Sequence, residues 1–128
     1  MKRTSVSQST EEVALAFLQA YWRGDLAAAL SYCTPAAKLE LPQSGPVVTP
    51  APMSDVLPMI FDRIYPRFVG GRFDVQMENI VSERSLSVVE YIAAGRLNNG
   101  REYRCRYAMV LTVRGGKVAF ARQYTDTQ

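Results

Sequence analysis

"GREYRCRYAMVLTVRGGKVAFARQYTD", residues 100–126, decides the fold. Two runs rich in β-branched and aromatic residues flank Gly115-Gly116 and so predict an antiparallel hairpin. Two registers are open. A two-residue Gly115-Gly116 turn sets Tyr107 opposite Tyr124 and Leu111 opposite Phe120. A three-residue Arg114-Gly115-Gly116 loop, with Gly116 left-handed as a bulge, sets Tyr107 opposite Gln123 and Met109 opposite Ala121. The first separates apolar from polar side chains better. The second brings Arg104 to Asp126 and Arg106 to Tyr124, one opposite-charge and one cation–π pair. A slip by one residue would exchange the two faces completely.

Upstream of the hairpin, "RFDVQMENIVSE" and "SLSVVEYIAAGRL" read as two further strands. Phe73, Val75 and Met77 alternate, and the parity slips at Ile80, which predicts a bulge. The first half of the chain is helical. Ser9 opens a capping box, "STEE", and "VALAFLQAYWR" runs on to Gly24, a natural residue to end a helix. Asp25 caps a second helix, "LAAALSYC". "AKLEL" is a short strand closed by Pro42. "PQSGPVVTPAP" reads as a loop or lid, because prolines at 42, 46, 50 and 52 forbid regular structure. Ser54 and Asp55 start a third helix, "VLPMIFDRIYPRF", with Pro58 in its first turn and Gly70-Gly71 at its end.

The order is three helices, with one early strand among them, and then a long meander. That predicts an α+β fold in which a curved mixed or antiparallel sheet wraps the helices on its concave face. The expected organisation is a flexible N-terminus, residues 1–8, and a single domain over 9–126, with no internal repeat. The 128 residues are enough for one core. The start "MKRTSVSQST" has no apolar segment behind it and no run approaches transmembrane length, so a cytoplasmic location and no membrane partner are expected. Cys33 and Cys105 are far apart and predict free thiols rather than a metal site. Histidine is absent, which removes Ser-His and Cys-His chemistry and the commonest metal ligand. Neither a metal nor a cofactor is expected. In "REYRCRY" the arginines Arg104 and Arg106 face away from Tyr103 and Tyr107, so no one surface offers both charge and stacking, and no nucleic-acid partner is expected.

"FLQAYWRGDLAAALSYCTPAAKLELP", the third helix and the closing "NGREYRCRYAMVLTVRGGKVAFARQYTD" resemble the SnoaL-like branch of the NTF2-like superfamily. That group includes ketosteroid isomerases, polyketide cyclases and limonene-epoxide hydrolases. The resemblance spans about Glu11 to Asp126 and implies a cone-shaped fold with one pocket. It also favours the three-residue hairpin loop, which would set Tyr91, Tyr107 and Gln123 in one row. Val89, Met109 and Ala121 would flank that row on one side, and Ala93, Cys105 and Thr125 on the other. The family's catalytic groups do not carry over. The isomerases' base falls at Leu41, their oxyanion tyrosine at Phe17, and their buried acid at Ala108 or Met109. The hydrolases' Arg/Asp pair and last-strand Asp fall at Tyr91, Ala93 and Gln123.

Glu40, one residue before Leu41, is the remaining carboxylate near that place. In an apolar pocket it is a candidate general base, with the tyrosines opposite as oxyanion donors. Period two instead places it on the opposite face from Leu39 and Leu41, solvated or paired with an arginine. The candidate ligand-binding residues are Tyr21, Tyr91, Tyr107, Met109 and Gln123. For the tyrosines the competing reading is core packing with the hydroxyl tied to backbone. Gln123 is the more telling, since an amide inside a sheet needs partners. Three functions follow as expectations: binding of a small hydrophobic molecule, cofactor-free isomerisation, cyclisation or dehydration of a carbonyl compound, or a dimeric interaction module. A homodimer is expected through an outer strip of Ala108, Val110 and Phe120.

Overall fold

The computed structural model describes residues 6–42 and 48–126. Helix α1 (Val6–Trp22) is followed by α2 (Leu26–Ser31), β1 (Cys33–Glu40), β2 (Ala51–Pro52) and α3 (Met53–Arg63). Two 3-10 turns, Tyr65–Arg67 and Val69–Gly71, then lead to β3 (Asp74–Glu83), β4 (Leu86–Arg96), β5 (Glu102–Arg114) and β6 (Lys117–Thr125). The six strands form one mixed sheet in the order β2-β1-β6-β5-β4-β3. Only β1 and β6 run parallel; every other pair is antiparallel. The three helices pack on one face of this sheet, which is the expected α+β architecture. Ala14, Phe17 and Leu18 of α1, Val56, Leu57 and Ile60 of α3, and Val89, Met109, Leu111 and Val118 of the sheet share one core.

The helix boundaries correct the sequence reading in all three helices. Helix α1 begins at Val6, so Ser9 lies inside it and caps nothing. Thr10 is buried and its hydroxyl donates to the Arg84 carbonyl, and this tie to the β3–β4 turn anchors the early part of the helix. Of the expected flexible start, residues 6–8 are helical and 1–5 lie outside the described residues. Helix α3 starts at Met53 behind Pro52, and Pro58 falls in its second turn. It stops at Arg63 rather than running to Phe68, because Pro66 disfavours helical backbone at Tyr65 and the chain tightens into the 3-10 turn. Part of the proline-rich loop pairs as β2 with β1, and residues 43–47 lie outside the described residues.

Helix α2 ends at Ser31, short of the expected Cys33, which instead opens β1 ahead of the expected Ala37. The caps between the first two helices and the β3 bulge stand as read. Gly24, at φ +71°, ends α1 with Gly24 N–H bonded to the Tyr21 carbonyl and Asp25 N–H to the Ala20 carbonyl, a Schellman cap. The Asp25 carboxylate accepts from the Ala28 N–H at 3.1 Å and starts α2. The β3 bulge falls at Glu78, between the Met77–Tyr91 and Asn79–Glu90 pairs.

The last hairpin follows neither expected register. Arg114 pairs with Lys117, so the turn is the two-residue one, with Gly115 and Gly116 at φ +57° and +76°. An extra residue in β6, Ala119, then shifts the ladder between Val113–Val118 and Thr112–Phe120. Beyond it Met109 faces Gln123, Ala108 faces Tyr124 and Tyr107 faces Thr125. The Tyr107–Gln123 pairing is therefore overturned, and so are the Arg104–Asp126 and Arg106–Tyr124 pairs. Asp126 instead bonds through its N–H to the Arg106 carbonyl. Beyond the bulge the observed ladder differs by two residues from the three-residue-loop register favoured by the resemblance, which leaves every side chain on the face that register gave it.

Candidate functional site

Period two on β4, β5 and β6 builds one wall of a chamber. Tyr91 pairs with Tyr107, as expected from the Asn98-Asn99-Gly100 turn, and their rings stack at 5.3 Å and 18°. One row along, Ala93 pairs with Cys105. Gln123 and Thr125 bring β6 into the same wall. The opposite wall comes from the end of α1, which supplies Tyr21 and Trp22, and from α3, which supplies Met59 and Ile60. Leu41 and Pro42 close one side, and Tyr65, Arg67 and Phe68 from the first 3-10 turn and its end close the other. Together they enclose a cavity of about 470 Å³. A shallower depression beside it shares Tyr65 and Phe68.

The polar groups of the chamber are linked in pairs. The Tyr21 hydroxyl donates to Gln123 Oε1 at 3.1 Å. The Tyr65 hydroxyl donates to the Tyr21 carbonyl at 2.6 Å, which fixes the 3-10 turn against the end of α1. The hydroxyls of Tyr103 and Tyr107 share one hydrogen bond. Trp22 packs edge-on to Tyr91 at 4.8 Å. Its buried indole N–H makes no well-formed hydrogen bond, although it lies close enough to the Tyr91 phenol to act on it.

Burial raises the pKa of Tyr21, Tyr65, Tyr91, Tyr103 and Tyr107. At Tyr107 the hydrogen bond to Tyr103 adds to the rise, whereas at Tyr91 the Trp22 N–H opposes it. All five are neutral phenols at neutral pH. They can donate to or accept from an oxygen, and they carry no charge.

The expected site residues divide as follows. Tyr21, Tyr91, Tyr107 and Gln123 line the chamber. Met109 does not. It is 0% exposed and lies in the core with α1, in the same row as Val89 and Gln123, of which only Gln123 reaches the chamber. Glu40 does not line it either. It stands beside Arg122 in the parallel β1–β6 ladder, and Arg122 Nε lies 2.6 Å from Glu40 Oε2, off the N–H axis. Strand alternation turns Leu39 into the core and Glu40 away from it, so the arginine-paired reading holds and the candidate base has no place at the chamber.

Sequence reasoning missed Tyr65, Tyr103 and Arg67 as wall residues. Tyr103 shares the parity of Tyr107, and that signal was present in the sequence. Tyr65 and Arg67 were hidden by the helix expected to continue through them.

A family profile described as "SnoaL-like domain" matches residues 14–121. The chain belongs to this SnoaL-like family. Among solved structures it is similar to a candidate SnoaL-like polyketide cyclase from Jannaschia sp. CCS1, at 17% identity and TM-score 0.78, covering 98% of this chain and 91% of that one. An NTF2-like protein from Burkholderia xenovorans LB400 matches at 20% identity and TM-score 0.71, covering 98% and 94%. A protein of unknown function with a cystatin-like fold, from Xanthomonas campestris, matches at 17% identity and TM-score 0.76, covering 93% and 92%. At these identities the likeness is one of fold. Among curated proteins none matches the sequence. No helix among the described residues is long and apolar enough to cross a membrane.

Proposed function

We propose that this SnoaL-like chain binds a small, mainly hydrophobic molecule in the chamber, with one carbonyl or hydroxyl oxygen anchored at the Tyr21–Gln123 pair. The observation that carries the reading is the chamber itself. Its volume of about 470 Å³ suits a small molecule, and its wall is aromatic and aliphatic around a few neutral hydrogen-bonding groups. Burying an apolar body supplies affinity, and the polar pair fixes orientation. A cyclic carbonyl compound, of the kind a polyketide cyclase would handle, has this shape. Proton transfer by Glu40 is the weaker reading, because that carboxylate is paired with Arg122 on the other face.

The test is a thermal-shift panel of ketones, lactones, terpenoid alcohols and plain hydrocarbons. Gln123→Leu should weaken oxygenated ligands by about 1–3 kcal/mol, the cost of leaving a buried polar group unpaired, and leave hydrocarbons unchanged. Glu40→Gln should alter neither. A panel in which no member raises the melting temperature would sink the reading.

The outer face supports a second proposal, assembly as a homodimer through the sheet. Val81 is 67% and Tyr124 51% exposed there, beside the half-buried Val88, Ala108, Val110 and Phe120. Glu83 on β3 and Lys38 on β1, neither of them ion-paired among the described residues, stand at the two sides of this strip. A two-fold axis parallel to the strands would set each flank over its opposite charge on a second copy. Sedimentation at micromolar concentration should give a dimer that Val110→Glu converts to monomer. A wild-type monomer would refute it.

A further inference from the structure

We propose that the ligand of the chamber is a flat carboxylic acid, seated with its carboxylate at the rim against Arg67 and an acceptor oxygen at the far end against Gln123. This rests on the reading of the chamber as a binding site and adds to it the charge and polarity of the occupant.

Charge is the first observation. Arg67 is the one charged side chain that lines the chamber among the described residues. Arg23, Arg96, Arg106 and Arg122 are each ion-paired, with Asp25, Glu102, Glu78 and Glu40. The Arg67 guanidinium has no such partner among the described residues. Its backbone is nonetheless fixed. The Arg67 N–H bonds to the Ile64 carbonyl at 3.1 Å, and its carbonyl accepts from the Asn98 N–H at 2.8 Å. An exposed, uncommitted guanidinium on a rigid rim suits a carboxylate, which it can grip with two parallel N–H groups.

The supply of donors is the second. Tyr21 spends its proton on Gln123 Oε1, which leaves the amide N–H groups as the free end of that side chain. Two hydroxyls, Tyr103 and Tyr107, share one hydrogen bond, so one O–H remains. No carboxylate balances these donors on the wall. A cation would find nothing to pair with, and an occupant rich in acceptors would satisfy groups the protein leaves open. The aromatic wall, with Tyr91 and Tyr107 stacked, favours a planar body.

The experiment is isothermal titration of three probes at neutral pH: acetylnaphthoic acid, its methyl ester, and acetylnaphthalene. The acid should bind about fivefold more tightly than the ester, the scale of a charge pair at an exposed rim. High salt should erase that advantage. Arg67→Gln should bring the affinity of the acid down to that of the ester, and Arg67→Lys should keep part of the difference. Equal affinity of acid and ester for the wild type, or equal weakening of both by Arg67→Gln, would overturn the carboxylate assignment while leaving the binding site intact. Failure of all three probes to bind would overturn both.

Discussion

Along β4, β5 and β6 the inner face changes character at the level of Met109 and Gln123. Toward the Gly115-Gly116 turn it carries Val89, Leu111, Val113, Val118 and Ala121, all in the core with α1. Toward the Asn98-Asn99-Gly100 turn it carries Tyr91, Cys105, Tyr107 and Thr125, which border the chamber. The strands and their alternation are the same in both halves. What differs is the cover. Helix α1 lies over the first half through Phe17 and Leu18, and the Schellman cap at Gly24 stops it just after Tyr21 and Trp22. A 3-10 turn held by the Tyr65–Tyr21 hydrogen bond bridges the second half without filling it. The cavity therefore exists because a helix ends, and the composition of the strands follows that boundary.

Substitutions in the two halves should behave differently. Leu111 is 0% exposed in the closed half, and Leu111→Ala should cost about 2–5 kcal/mol in urea unfolding, while the folded fraction binds chamber ligands as before. A cost well under a kilocalorie would mean that the halves are equally loose, and the comparison would break.

The open half should show itself at alkaline pH. Its tyrosines have folded-state pKa values raised above the ordinary 10.0 by burial. The native state therefore holds protons that the unfolded chain gives up. Their contribution is complete below about pH 10 and is lost as pH rises above it. Cys33, a buried thiol pushed from 9.0 up to about 12, acts in the same direction between those values. Tyrosinate absorbance should appear together with loss of circular dichroism. Full ionisation of a still-folded protein would show that the phenols are not sealed.

The smallest effect is expected at the end of the closed half. Gly116, at φ +76°, has open space where a side chain would sit, so Gly116→Ala should cost only the backbone strain, about 1 kcal/mol, with no change in ligand affinity. An unchanged unfolding midpoint would show that the turn relaxes freely.

The sheet and the facing of its side chains were legible because alternation has a period of two and each strand repeats it. Tyr91, Tyr107 and Gln123 reached the wall on that basis even though the pairing of the last hairpin was misread. The Ala119 bulge left no sign in "KVAFARQ", which carries no glycine or proline after the turn. Met109 was placed on the right face and at the wrong depth, since depth depends on where α1 ends above it. Tyr65 and Arg67 belong to an irregular segment without periodicity, and only Pro66 signalled that the helix had to stop before them.

The Ala119 bulge has a consequence for how this chamber could change by insertion and deletion. One residue added to or removed from β6 beyond the bulge would send Gln123 and Thr125 to the outer surface and bring Arg122 and Tyr124 inward. Two residues would return each side chain to its own face, one rung farther along the barrier between core and chamber. Viable length variants of this strand should therefore differ in steps of two, each step moving the amide anchor along the chamber by roughly 7 Å, the rise of two extended residues.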